Sequence, residues 1–193
     1  MSITDRVRED HATALDRLGS EKALLALTEA RLETPAVLEA TGGALADARA
    51  TFAAWAADSE GATGERLEAA ATALGEACDR VAESLDGDLP ADSPFISLAG
   101  GTDAERAGAA VGAGLVLDRL CLQGVSFFVN EADTARADLF RDLRETADSL
   151  VDAADAVDDT DAAAAAAGAV VEAAYGEYVD RLEAMGFDPK PVC

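Results

Sequence analysis

Lysine is nearly missing from these 193 residues. Lys22 and Lys190 are the only two, so thirteen of the fifteen basic residues are arginine. No basic patch exists to neutralise phosphates, which argues against direct nucleic-acid binding. Histidine occurs once, at His11, so no Ser/His/Asp set can be assembled. Cysteine occurs three times, at Cys78, Cys121 and Cys193. The three are widely spaced and odd in number, which excludes a disulfide framework and a CxxC zinc pair and suits a reducing cytoplasm. The opening MSITDRVRED lacks the apolar run of a signal peptide. No window reaches the ~18 apolar residues of a membrane span. The expectation is a cytoplasmic chain with no membrane partner.

Acid is what the chain has in excess. Thirty-eight Asp and Glu residues give a formal net charge of −23, yet half of the residues are hydrophobic, so this is no disordered acidic tail. Such charge repels itself at low ionic strength, and at molar salt the Debye length of about 3 Å screens it. The acidic, lysine-poor, alanine-rich profile resembles cytoplasmic proteins of salt-in halophilic archaea. That resemblance implies an adaptation to solvent, not a function.

Strand signals are weak and helical periodicity is strong. Ser2 with Asp5 opens a first helix whose stripe is Ile3, Val7, His11, Ala14 and Leu18. EKALLALTEA gives a short second helix. Thr34-Pro35 opens a long one, with Thr34 as cap, Pro35 in the first turn, and a stripe of Val37, Thr41, Leu45, Ala48, Phe52 and Trp55. Residues 62–86 follow, with Leu67, Ala71, Leu74, Cys78, Val81 and Leu85 at bundle spacing. DGDLPADSPFISLAGG, residues 86–101, breaks the pattern and reads as a long connection. TDAE at 102–105 is a capping box, so Gly100 and Gly101 are read as part of a cap and not as a phosphate cradle. The central helix then runs to about Asn130. Asp133 caps the next, with a stripe of Leu139, Leu143, Thr146, Leu150, Ala154 and Val157. The last helix has Val171, Tyr175, Tyr178, Leu182 and Met185, and stops at Gly186 in a Schellman arrangement with Phe187. The fold predicted is all-α: one antiparallel helical-bundle domain over 1–193 with about six helices. Its halves are 2–87 and 102–187, the connector is 88–101, and an extended tail covers 188–193.

The stretch ALADARATFAAWAADSEGATGERLEAAATALGEACDRV, 44–81, is similar to the rubrerythrin and ferritin-like family. So, more widely, are HATALDRLGSEKAL (11–24), FFVNEAD (127–133) and YVDRLEAMGFDPKPVC (178–193). The chain looks like a haloarchaeal branch whose members are labelled rubrerythrin-like or transcription antitermination proteins. The resemblance implies a ferritin-like bundle. Its di-iron chemistry needs a Glu from each of two helices and Glu-x-x-His from two others. Aligned on the DRV ending, Leu74 and Ala77 stand where Glu and His would be. Glu39 matches a first-helix ligand but lies ~140° around the helix from Phe52, taking ~100° per residue, and so should face solvent. No cofactor is expected. Cys78 and Cys121 read as small buried hydrophobes, Tyr175 and Tyr178 as core, and Cys193 as an accessible thiol that could react or form an intermolecular disulfide.

The segment VLDRLCLQGVSFFVNEAD, 116–133, is the most apolar in the chain. On a helical projection Glu105, Gly108, Gly112, Arg119, Gln123, Ser126, Asn130 and Asp133 fall within ~80° of arc. Leu115 is the one large apolar residue in that arc, and from Gly112 to Asn130 the rest of the girth is apolar or small apart from Asp118. Solvent, a packed helix or subunit, or a ligand pocket are the three things this strip can face. Gly108 and Gly112 would admit a close helix, with Arg119, Gln123, Ser126 and Asn130 completing an interaction seam. The leading expectation is therefore a non-catalytic, metal-free bundle that acts through a protein partner or a homo-oligomer. The alternatives are a metal or redox protein with ligands drawn from His11, Glu39, Glu76, Glu131 and Glu172, and a transcription-associated factor. Asp118 and Glu131, at the apolar flanks of the strip, are the carboxylates best placed to point inward.

Overall fold

In a computed structural model, the chain is described over residues 2–90, 93, 95–151 and 160–189. Those residues form eight α-helices and no strand: α1 (Ile3–Asp10), α2 (Ala12–Leu18), α3 (Glu21–Thr28), α4 (Thr34–Asp58), α5 (Gly61–Leu85), α6 (Asp103–Asn130), α7 (Thr134–Val151) and α8 (Thr160–Ala184). The count exceeds the roughly six expected, because the N-terminal helix breaks in two and the short EKALLALTEA segment stands as a helix of its own. His11 leaves helical geometry (φ −114°, ψ 24°), and its N–H closes α1 on the Val7 carbonyl. α3 stands alone because Glu29 and Ala30 both take positive φ and end it.

Local signals set most helix ends. Ser2 and Asp5 cap α1 reciprocally, and Thr102 and Glu105 do the same for α6. The Asp133 carboxylate accepts from the Arg136 N–H at 3.0 Å and opens α7. Gly186, at φ +81°, ends α8 with the Phe187 N–H bonded to the Leu182 carbonyl at 2.8 Å, a Schellman turn. One cap differs: Glu33 carries the extended backbone before α4, so Thr34 is already helical. The buried face of α7 also differs. Ala137, Phe140, Leu143, Ala147 and Leu150 are buried, while Leu139 and Thr146 are only half-buried. Phe140 rotates inward because it fills the space left by Gly124 and meets Phe128, ring centroids 5.2 Å apart. Ala154 and Val157 lie outside the described residues.

Cross-helix contacts fix the directions. Val81 lies beside Gly42, Arg49 beside Gly75 and Ser59 beside Gly64, so α4 and α5 form an antiparallel hairpin. Ala147 lies beside Gly114 and Phe140 beside Gly124, so α6 and α7 are antiparallel too. Arg80 reaches Asp142, and Arg136 donates to Ser84, so α5 also opposes α7. It follows that α5 and α6 run in the same direction. The chain between them, 86–102, must therefore recross the whole length of the bundle. It does so over α4: Leu89 sits on Gly42, Pro90 on Gly43, and the Ser93 N–H donates to the Asp47 carboxylate. Phe95 and Ile96 of the strap are buried. At its far end Arg106 donates to the Ser59 hydroxyl at 2.7 Å, tying the start of α6 to the α4–α5 turn.

α8 runs parallel to α6, with Ala163 against Gly108 and Ala167 against Gly112. α1–α3 lie across α8 and α6. Arg6 pairs with Asp161 at 2.6 Å, and Gln123 donates to the Gly19 carbonyl at 2.5 Å. Among the described residues α6 is the one helix long and apolar enough to cross a membrane, and 61% of that stretch is buried inside the protein.

Candidate functional site

The polar strip of α6 is largely consumed within the chain. Glu105 caps its own helix, with the Gly101 and Thr102 N–H groups bonded to its carboxylate. Those bonds, the one from Gly101 foremost, hold its pKa below the ordinary value. Gly108 and Gly112 are buried against the backbone of α8, so the close helix that two glycines admit is this chain's own. Arg119 lays its Cδ over Gly19, and Gln123 bonds the same residue's carbonyl. Ser126 turns back to the Leu122 carbonyl, and Asn130 is exposed. The interaction seam is thus an intramolecular one along most of its length. Ser126 and Asn130 are the part left open.

Neither flanking carboxylate points into an apolar interior alone. Asp118 accepts from Arg144 of α7 at 2.7 Å. Glu131 is exposed just past the end of α6. Below Asp118 lies Cys121, fully covered, whose thiol is pushed up to about 12, first by burial and then by the Asp118 charge. Burial likewise raises the Cys78 thiol. Both are inert packing groups at neutral pH, as the sequence suggested. Cys193 lies outside the described residues.

Of the five weak metal candidates, two meet. His11 Nδ1 is 2.7 Å from Glu172 Oε1, across 161 residues of sequence. The ring packs on Gly168, where a Cβ would lie 3.1 Å from His11 Cε1. Glu39 is elsewhere, half-exposed and 3.9 Å from Arg31. Glu76 is exposed on the outer face of α5. No group of three or more His, Cys, Asp or Glu that could hold a metal exists among the described residues.

Between α4, α5, α6 and α7 the interior is lined by buried apolar side chains. Leu45, Phe52, Leu74, Ala77, Val111, Leu117, Leu143 and Leu150 are all at 0–1% exposure. A di-iron centre would need several carboxylates there, and these side chains supply none, so the residues do not fit it. The nearest polar group on α4 is Thr41, buried with its hydroxyl unpartnered among the described residues. Tyr178 is buried, and its hydroxyl donates to the Pro189 carbonyl at 3.3 Å. Tyr175 stacks on it at 5.8 Å and stays half-exposed.

Two features escaped the sequence. Arg181 lies over the Phe95 ring at 5.3 Å and is held by Glu177 and Glu29, which locks the crossover strap to α8. A groove of about 630 Å³ runs along the outer side of the α4–α5 hairpin, lined by Arg49, Ala53, Ala57, Glu68, Gly75 and Glu76 among others. An uncharged run from Ala50 to Ala57, in a chain this rich in charge, was the only available signal for the groove. No family model, curated protein or solved structure matches this chain.

Proposed function

We propose that this protein is a ferritin-like bundle, related to rubrerythrins, that holds no metal and works through contacts with other proteins as a regulator or assembly partner. The observation that carries the reading is the fully buried, apolar pair Leu74 and Ala77, where the family's Glu-x-x-His would stand. The course of α4–α7, with one long crossover between the second and third, supports the ferritin-like part. That is the connectivity general to such folds. Leucine and alanine fill the space and leave no carboxylate to satisfy, so the bundle gains a conventional core where a metal site would demand paired charges.

Metal analysis of protein purified without chelator tests this reading. The expected result is less than stoichiometric iron, manganese or zinc, and a stoichiometric metal would overturn it. One observation favours a second reading: the His11–Glu172 pair offers a nitrogen and an oxygen to a metal bound near the N-terminus. Under that reading a bound metal would disappear in His11→Ala while remaining indifferent to Leu74. A transcription-linked role would be one form of the contact function, and co-purification of RNA polymerase is its test.

A further inference from the structure

We propose that the outer face of the α4–α5 hairpin is a self-association surface, on which the same face of a second copy docks about a twofold axis running along the hairpin. The inference rests on the contact function above and names the partner: another copy of this chain.

Among the described residues no other helix covers this face. Along α4 no charged residue occurs from Ala50 to Ala57, and Ala50, Ala53, Ala54 and Ala57 are exposed. Between α4 and α5 the groove is lined by Ala53, Ala56 and Ala71, small enough to admit the ridge of a facing helix, with Arg49 lying across Gly75 at one end. Both helices have 25 residues, so each is about 37 Å long, and the pair presents about 700 Å². A standard stable interface takes roughly 800 Å² per partner.

Charge decides the occupant. The groove carries one cation, Arg49, and three carboxylates, Glu68, Glu76 and Asp79. Arg49 lies across Gly75, its Nε 3.2 Å from where a Cβ would be. Among the described residues neither Arg49 nor any of these three carboxylates belongs to an ion pair, although Arg is scarce and acid abundant. A twofold axis along the hairpin sets α4 of one copy on α5 of the other and leaves the level along the helix unchanged. Arg49 of each copy then comes over Glu76 and Asp79 of its mate, and the contact is made twice. The two helices brought together are antiparallel, which suits their dipoles. A basic partner would leave Arg49 unmatched, and an acidic one would meet the three carboxylates. A copy of the same face answers both.

The test is the mass in solution, measured by light scattering or sedimentation of the full chain in molar KCl at tens of micromolar. Wild type is expected at twice the monomer mass. Arg49→Glu and Ala53→Glu, both at exposed positions, should each weaken self-association by about tenfold or more, with unchanged circular dichroism. The double variant Arg49→Glu/Glu76→Arg should restore it, since the exchanged charges still face each other across the axis. A monomeric wild type, a dimer indifferent to either single variant, or a double variant as weak as Arg49→Glu would overturn the proposal. Metal content is read separately on the same samples. A metal-loaded dimer would refute the metal-free reading alone, and a metal-free monomer would refute the docking surface alone.

Discussion

Replacing Gly108 by alanine adds one methyl group to the second turn of a 28-residue helix. In an open helix that change is favourable by about 1 kcal/mol, because glycine loses more backbone freedom. Here the added Cβ would lie 2.6 Å from the carbonyl carbon of Ala163 and 2.7 Å from its Cα, with the carbonyl oxygen nearer still. Ordinary contact begins at 3.4 Å. All three obstructing atoms are backbone, so no side chain can rotate away. Clearing the carbonyl carbon alone takes about 0.8 Å and the oxygen takes more, so α6 and α8 must separate by about 1 Å or more, a gap that forfeits at least a quarter to a half of the dispersion along the seam. Overpacking of this kind costs about 1–3 kcal/mol, and rigid backbone obstruction belongs at the upper end. The net expectation for Gly108→Ala is a loss of about 2 kcal/mol, which lowers the melting temperature by roughly 4–8 °C in a chain of this length. Gly176 is the matched control: it also lies inside a helix, α8, but a Cβ there meets nothing within 4 Å. Gly176→Ala should gain about 0.5–1 kcal/mol. Thermal unfolding followed by circular dichroism in molar KCl compares the two directly. If Gly108→Ala melts at or above wild type, the close α6–α8 seam is wrong.

Salt is the second lever: lowering it from molar to millimolar should reduce helicity, because the repulsion behind a net charge of −23 is no longer screened, and an unchanged spectrum would contradict this. The Cys121 thiol, raised from 9.0 to about 12, gives a sign for alkaline pH. A raised folded pKa means its contribution is intact below pH 9 and is lost as pH climbs toward 12, so stability should fall across that window and fall less in Cys121→Ser. A thiol reagent should leave Cys78 and Cys121 untouched in folded protein at pH 8, and rapid modification of either would refute their burial. His11→Ala removes both the Glu172 contact and the ring on Gly168. It should free α1, seen as faster amide exchange over residues 3–10 with little change in α4–α5, whereas uniform exchange changes would argue against a locally docked segment.

What could be read from the residues was whatever is specified within a few positions. Ser2 and Asp5, Thr102 and Glu105, and Gly186 with Phe187 each form caps across three to five residues, so their patterns were sufficient. On α7, Leu143 and Leu150 are buried as the spacing predicts, while Phe140 and Ala147 take the places expected of Leu139 and Thr146, because Phe140 is chosen by Gly124, a residue on another helix. Periodicity places Gly108, Gly112, Arg119 and Gln123 on one face of α6 but cannot name the neighbour of that face. The parallel approach of α8 and the Gly19 turn came only with the fold. His11 and Glu172 are separated by 161 residues, and nothing local pairs them. The break at His11 was likewise invisible, since its stripe continues through the kink.

The N-terminal segment has a temporal consequence. α1–α3 come first in the chain, yet the seat they occupy is built from α6 and α8, and α8 comes last. At roughly 5–20 residues per second, the first helices wait on the order of ten to thirty seconds during synthesis before their seat exists. Throughout that interval Leu15, Leu18, Leu24 and Leu27, all buried at the end, stay uncovered. The α4–α5 hairpin can close early, while the two ends of the chain can close only together. Docking of the first three helices should therefore wait for α8, and truncations that remove α8 should release them as well.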